Sequence, residues 1–434
     1  MTRFSGLILS AVILFSGISR VSAQQETAAA PETGVSAPAA APAGPTEAEW
    51  KFIKIGGENK SEDIVAATLP ELGEWLGLHA DSEYAAEAQL LKANIHLRLG
   101  DYKSAIVDLL KHLQEYPASG SNASARKLFG ETIAKKLSDK NIKILNETAK
   151  VPEVTDKAER LAFALSKLAE RAGTDFYEPL VLEFRGFFSR FPAYSGRDWL
   201  QMVLGDLHMR NGEYLAARLA YEKVVHVYPG SQLLVKAKRA LGDVLANDLK
   251  EYDAAIIVYQ DVAASYPGTE EAWVAYGQLA KLTERQKKYG LAVEVHEKII
   301  SLYPDKDAAY DSFVAEARIL REELSKFPEA IAVLGRLADK YKGEKAIEAL
   351  YLAAKIARKD IKDLPAEVKI YDRIAGEYAQ DPEAPKAIFA AAEAYESARD
   401  FDKAREYYGK VSDKYPQDSL SSKAQKRVNV IISK

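Results

Sequence analysis

Six histidines are the first residues to test for chemistry: His79, His96, His112, His208, His226 and His296. A metal site needs several such groups converging at fixed spacing. No HExxH or paired-histidine spacing occurs, so these residues read as surface or internally satisfied helix histidines. Asp305, Asp307 and Asp311 have the outline of a calcium loop with Glu316 in twelfth place. The glycine needed at the sixth place is missing, and a helix should already have begun. These acids read instead as an N-terminal helix cap. The chain has no cysteine, which removes thiol nucleophiles, Cys-ligated zinc and iron–sulfur clusters. No Gly-rich phosphate loop, nucleophile elbow or Ser/Lys dyad motif occurs. Carboxylates are numerous but fall on solvated helix faces, with no strand scaffold to converge two of them on a glycosidic bond. The expectation is no enzyme, no metal and no cofactor.

The surrounding chain has 434 residues, with 59 basic and 63 acidic side chains and a formal charge of −4. That balance disfavours nucleic acid, whose binders need a basic surface. Apolar residues make up 47% and aromatics 9%, a globular composition. Met1–Arg3, an apolar run over Leu7–Phe15 and Val21-Ser22-Ala23 read as a secretory signal peptide cut before Gln24. The apolar run is short of the roughly 20 residues a membrane span requires; an uncleaved inner-membrane anchor is the alternative. Without a cysteine after that run, no lipoprotein anchor is expected, and no later run of the sequence is long enough to span. Residues 24–48, rich in Ala and Pro, read as a flexible tether. The helical pattern begins near Trp50. Export without cysteine fits a bacterial periplasm, where packing must replace disulfides.

A repeat organises the rest. Aromatic-Pro pairs stand at Tyr116-Pro117, Phe191-Pro192, Tyr228-Pro229, Tyr266-Pro267, Tyr303-Pro304 and Tyr415-Pro416, with Tyr341 and Tyr378 in phase but without proline. From Phe191 onward the steps are 37 or 38 residues. A second marker runs in register: Asp101-Tyr102, Glu213-Tyr214, Glu251-Tyr252, Lys288-Tyr289, Lys326-Phe327, Asp363-Leu364 and Asp400-Phe401. Three residues after its second member stands Ala105, Ala217, Ala255, Ala292, Ala330, Glu367 or Ala404.

Each period predicts two helices. Leu200, Val203, Leu204 and Leu207 fall on one helical face, Asn211-Gly212 breaks the helix, and Ala217, Ala220, Tyr221 and Val224 repeat the spacing until Pro229. Such a hairpin cannot bury its face alone, so neighbours must stack. Gly205/Ala217/Tyr221, Gly242/Ala255/Tyr259, Ala392/Ala404/Tyr408 and Ala317/Ala330/Leu334 are expected to meet across each hairpin. The pattern resembles the tetratricopeptide repeat family, with loops extended by three or four residues. The residues after the aromatic-Pro pairs (Gly230-Ser231, Gly268-Thr269, Gln417-Asp418-Ser419) look like its periplasmic branch, which includes Tol-Pal-associated cell-division coordinators and outer-membrane assembly proteins. Residues 118–192 keep the length of two periods, lose the signature and concentrate Phe184, Phe187, Phe188 and Phe191. These read as a larger core, the alternative being an apolar partner surface.

The expected architecture is therefore an all-α, right-handed superhelical solenoid of about nine helix hairpins. N-terminal helices span 49–81, divergent repeats 82–192, regular repeats 193–416 and a capping helix 417–434. In the resembled family the first helix of each pair lines a concave peptide groove. Carried over, this implies a groove at Arg210, Lys281, Arg285, Arg318, Arg321, Lys355 and Arg358, with Asp206, Asp243 and Glu393. The stretch from Lys281 to Arg358 is largely basic and would favour acidic or carboxylate-ended peptides. The function expected is a non-catalytic scaffold for other envelope proteins. The alternatives are a subunit of an outer-membrane biogenesis or secretion complex and, further off, a glycan-processing enzyme.

Overall fold

The computed structural model describes residues 45–432, so the signal peptide and most of the tether lie outside the described residues. Within them the chain forms α1 (Pro45–Gly57), α2 (Glu62–Leu78), α3 (Ala85–Arg98), α4 (Tyr102–Glu115), α5 (Asn122–Lys136), α6 (Asp139–Thr148) and α7 (Lys157–Ala172). Then come α8 (Tyr177–Arg190), α9 (Arg197–Arg210), α10 (Tyr214–Val227), α11 (Leu234–Asn247), α12 (Tyr252–Ser265), α13 (Glu270–Arg285) and α14 (Tyr289–Leu302). The last third holds α15 (Asp307–Glu322), α16 (Phe327–Lys340), α17 (Glu344–Ile356), α18 (Leu364–Glu377), α19 (Glu383–Ser397), α20 (Phe401–Lys414) and α21 (Ser419–Ile432). A π turn, Ala357–Ile361, prolongs α17. No strand occurs among the described residues.

Nine helix pairs run from α3/α4 to α19/α20. The α1/α2 pair precedes them, and α21 follows α20, packing against α19 and α20. Helix α1 begins at Pro45, inside the stretch expected to be tether; proline suits a first helical turn because the missing N–H has no partner there. Trp50 of α1 is buried against Trp75 of α2, with ring centroids 5.5 Å apart. Both sequence markers are helix boundaries. The aromatic of each aromatic-Pro pair is the C-cap of an even-numbered helix, for example Tyr228 of α10 and Tyr415 of α20. The second marker supplies the N-cap and first residue of the following even helix; Asp101, Asp363 and Asp400 cap with their side chains.

The turn within α3/α4 and within each regular pair places one residue at positive φ: Gly100, Gly212, Lys250, Lys287, Ser325, Lys362 and Arg399. Where the turn is short, the next N–H reaches a carbonyl five residues back, as Glu213 N does to His208 O at 2.9 Å. This is the Schellman closure. Where the turn is one residue longer, the reach is six residues, as for Asp363 N to Ala357 O at 3.0 Å.

The small residues act as expected. A Cβ on Gly205 would stand 2.5 Å from Cε1 of Tyr221, and one on Gly242 would stand 2.7 Å from Cε1 of Tyr259. Ala217, Ala255, Ala292, Ala330 and Ala404 are fully buried. The divergent region stacks differently: α7 packs against α4 as well as against α6, while α5 and α6 touch only lightly. Phe184 and Phe187 are buried and Phe188 and Phe191 half-buried in one cluster reaching from α3 to α9. The phenylalanines therefore build a larger core there. The N-cap before α15 is Lys306, without a side-chain cap, so Asp305 does not cap it and Asp307 lies in the first turn.

Candidate peptide groove

Successive odd-numbered helices come into direct contact at α1–α3, α7–α9, α11–α13 and α19–α21, whereas comparable contact between even-numbered ones is confined to α4–α8. At these places the odd helices approach one another more closely than the even ones, on the side where the groove is expected. The expected groove residues sit on these helices, but most are not free. Arg210 donates to the Ala169 carbonyl of α7 at 2.8 Å. Arg285 lies over the Tyr252 ring, 5.0 Å from its centroid, and donates to its hydroxyl at 3.0 Å. Arg318 is paired with Glu284 of α13, and Arg321 holds Asp360 of the π turn at 2.7 Å. Arg358 is exposed, with its Nε 3.9 Å from Glu367 Oε1. Lys281 and Lys355 are exposed and have no ion-pair partner among the described residues. Of the expected groove cations, Arg318 and Arg321 are matched by acids of neighbouring elements, Arg210 and Arg285 are engaged by a carbonyl and a phenol with no matching acid, and Lys281, Lys355 and Arg358 are exposed. Asp206 and Asp243 accept hydrogen bonds from the Tyr221 and Tyr259 hydroxyls, both at 2.7 Å, and serve packing.

At the C-terminal end a cavity of about 660 Å³ opens between α17, α18, α19 and α21. It brings Arg358 and Glu393 together with Lys362, Glu367, Glu396 and Arg427. Arg427 grips Glu396 through two contacts, 2.6 and 3.1 Å. Glu367 is 3% exposed, and burial raises its pKa against the opposing pull of Arg358 and Tyr371. Glu367 was visible in the sequence as the substitute for alanine. Lys362 and Arg427 were not, because nothing local signals that their helices converge.

A buried ionic cluster was also illegible. Asp108 of α4, 2% exposed, contacts Lys92 Nζ at 2.8 Å and His96 Nδ1 at 2.6 Å, and accepts from Gln89 at 3.0 Å. Lys111 holds Glu183 of α8 at 2.8 Å. Despite its burial, the cations beside Asp108 hold its pKa down at about 2. Each oxygen of Asp108 is engaged, so the cluster joins α3, α4 and α8 and offers no free base. Among the other histidines, His112 is fully buried, and its pKa is pushed down to about 4 by burial. His208 accepts or donates at the Tyr177 hydroxyl, 2.8 Å away, and His296 at Glu284, 3.0 Å away. His226 is exposed. These are packing and surface roles.

Tetratricopeptide repeat family models match residues 86–118, 202–270, 319–385 and 386–418. These segments cover α3/α4, most of α9 through α12, the end of α15 through α18, and α19/α20; α5–α8, and α13 to most of α15, lie outside them. No curated protein sequence matches the chain. Among solved structures, a tetratricopeptide repeat protein from Parabacteroides merdae is 12% identical, covering 63% of this chain and 98% of its own, with a TM-score of 0.32. The P58(IPK) TPR domain is 12% identical over 89% of this chain and 98% of its own, with a TM-score of 0.23. Yeast Tom70 is 13% identical over 89% and 87%, also at 0.23. Repeats of this kind generally mediate protein–protein interactions and are typically non-catalytic. The chain is an all-α solenoid carrying tetratricopeptide repeats.

Proposed function

We propose that this protein is an exported, non-catalytic scaffold that gathers other envelope proteins by holding acidic or carboxylate-ended peptides along its inner groove. The observation that carries the reading is the pair Lys281 and Lys355, exposed on the inner side two repeats apart and without a partner acid. Arg358 adds a third accessible cation near the C-terminal cavity. Exposed cations on a preformed concave surface steer acidic partners and fix their register. The periplasmic location, and a kinship with Tol-Pal-associated coordinators, belong to this reading and rest on the sequence alone.

The test is capture of partners from envelope extract by the parent and by a Lys281→Glu, Lys355→Glu, Arg358→Glu variant. Arg318 and Arg321 are unsuitable targets, because reversing them breaks inter-repeat pairs. The expected result is loss of acidic partners in the variant, and release from the parent as salt shortens the screening length below about 8 Å. An unchanged set of partners overturns the reading.

A further inference from the structure

Six of the seven pairs that carry the second marker place alanine three residues after the first residue of the even helix; the seventh places Glu367. Packing alone calls for alanine at this point, since the helices approach closely there. Glu367 is nevertheless buried, and its Oε1 has no hydrogen-bond partner. The nearest guanidinium atom, Arg358 Nε, stands 3.9 Å away, beyond hydrogen-bond length. An orphaned buried acceptor is costly to keep. The same pair carries the π turn Ala357–Ile361 and the left-handed Lys362, and both border the cavity. Glu393 lies on the cavity wall one residue after Ala392, exposed and without an ion-pair partner among the described residues.

Resting on the reading that peptides lie in the groove, we propose that this cavity binds a cationic side chain of the bound peptide, the guanidinium of an arginine or the ammonium of a lysine, between Glu367 and Glu393. The unsatisfied atom in the wall is an acceptor, which calls for a donor. Arg427 is paired with Glu396 through two contacts, so its charge is already matched by an acid of this chain. Arg358 and Lys362 stand at the same cavity and meet acidic residues flanking the anchor. The groove and cavity together select a basic anchor set in an acidic stretch, the acidic part lying on Lys281 and Lys355.

The probe is Nα-acetyl-arginine amide, titrated into the full chain by calorimetry and ligand-observed NMR, with Nα-acetyl-citrulline amide as its neutral isostere. The expected result is saturable binding of the arginine probe and roughly tenfold or weaker binding of citrulline. Glu367→Ala, which restores the alanine of the other pairs, is expected to lose binding while melting no lower than the parent. Glu393→Gln, at an exposed position, carries the same expectation for binding and keeps the test open should Glu367→Ala fold poorly. Equal binding of both probes, or full binding by both variants, overturns the proposal. A polyglutamate peptide separates this site from the groove: it should still bind Glu367→Ala and be lost in Lys281→Glu, Lys355→Glu.

Discussion

Gly205→Ala is the most direct probe of how the hairpins close, provided it is compared with Gly186→Ala. Both glycines lie inside helices, α9 and α8, so both substitutions gain the same intrinsic helix propensity, about 1 kcal/mol. Around Gly186 no atom lies within 4 Å of an added Cβ. At Gly205 the new methyl would stand 2.5 Å from Tyr221 Cε1 and 2.8 Å from Cδ1. Tyr221 is 2% exposed and tied by its hydroxyl to Asp206 at 2.7 Å, so its ring cannot swing away without breaking that bond. Overpacking of this kind costs about 1–3 kcal/mol. Gly186→Ala is expected to stabilise slightly, and Gly205→Ala to fall behind it by that same 1–3 kcal/mol. Adding Tyr221→Leu to Gly205→Ala should recover part of the difference, since the two sites are in contact. Urea unfolding gives the global difference, and amide exchange in α9 and α10 localises it, because stacked pairs open in parts. Equal stability of the two alanine variants would refute the close approach.

The left-handed turn residues and one buried acid supply two further expectations. Lys287 and Arg399 hold φ of 55° and 62°, a conformation costing an L-residue about 1–2 kcal/mol; Lys287→Gly and Arg399→Gly should each raise stability by roughly 0.5–1 kcal/mol after glycine's larger unfolded entropy, and a lower melting temperature in both would contradict the turn geometry. Glu316 is 3% exposed, with Oε2 unpartnered, and burial lifts its pKa to about 7 against the opposing charge of Arg336, with Glu297 adding to the rise. A carboxyl raised on folding contributes stability below its unfolded pKa, and that contribution is lost as pH rises through about 7. Glu316→Gln should therefore flatten the decline in melting temperature between about pH 5 and 8, and an unchanged profile would show that Glu316 titrates normally.

The repeat period was legible because it is written in residues with strong backbone consequences. Proline after an aromatic C-cap, a small residue facing Tyr221 or Tyr259, and an acid capping an even helix all act within a few residues of themselves. The left-handed turn was legible only where glycine holds it, at Gly100 and Gly212. Lys250, Lys287, Ser325, Lys362 and Arg399 take the same conformation with no local signal, because the stacked helices on either side impose it. The divergent segment kept the expected length, but α7 reaching α4 across the α5/α6 pair is a long-range outcome that helical spacing cannot encode. At the candidate site, positions on the inner face were readable from the period. Partners were not: Glu284 meets Arg318 and Asp360 meets Arg321 from 34 and 39 residues away.

Those partners also explain which cations remain accessible. Arg210, Arg285, Arg318, Arg321 and Arg427 all bind a group on a neighbouring element, whether carbonyl, phenol or carboxylate. Lys281 and Lys355 bind none among the described residues. The division follows from side-chain chemistry. A guanidinium offers a rigid fork of donors that can hold a neighbour in fixed geometry, while an ammonium is a compact, strongly hydrated charge on a flexible stem. At the expected groove positions Arg210, Arg285, Arg318 and Arg321 tie neighbouring elements together, while Lys281 and Lys355 remain exposed to solvent. A partner entering the groove therefore meets positive potential from Lys281, Lys355 and Arg358, together with Arg210 and Arg285, whose partners carry no charge. Such contacts act at a distance and weaken with salt, whereas the enclosed carboxylate of Glu367 acts only on a group that comes to rest beside it.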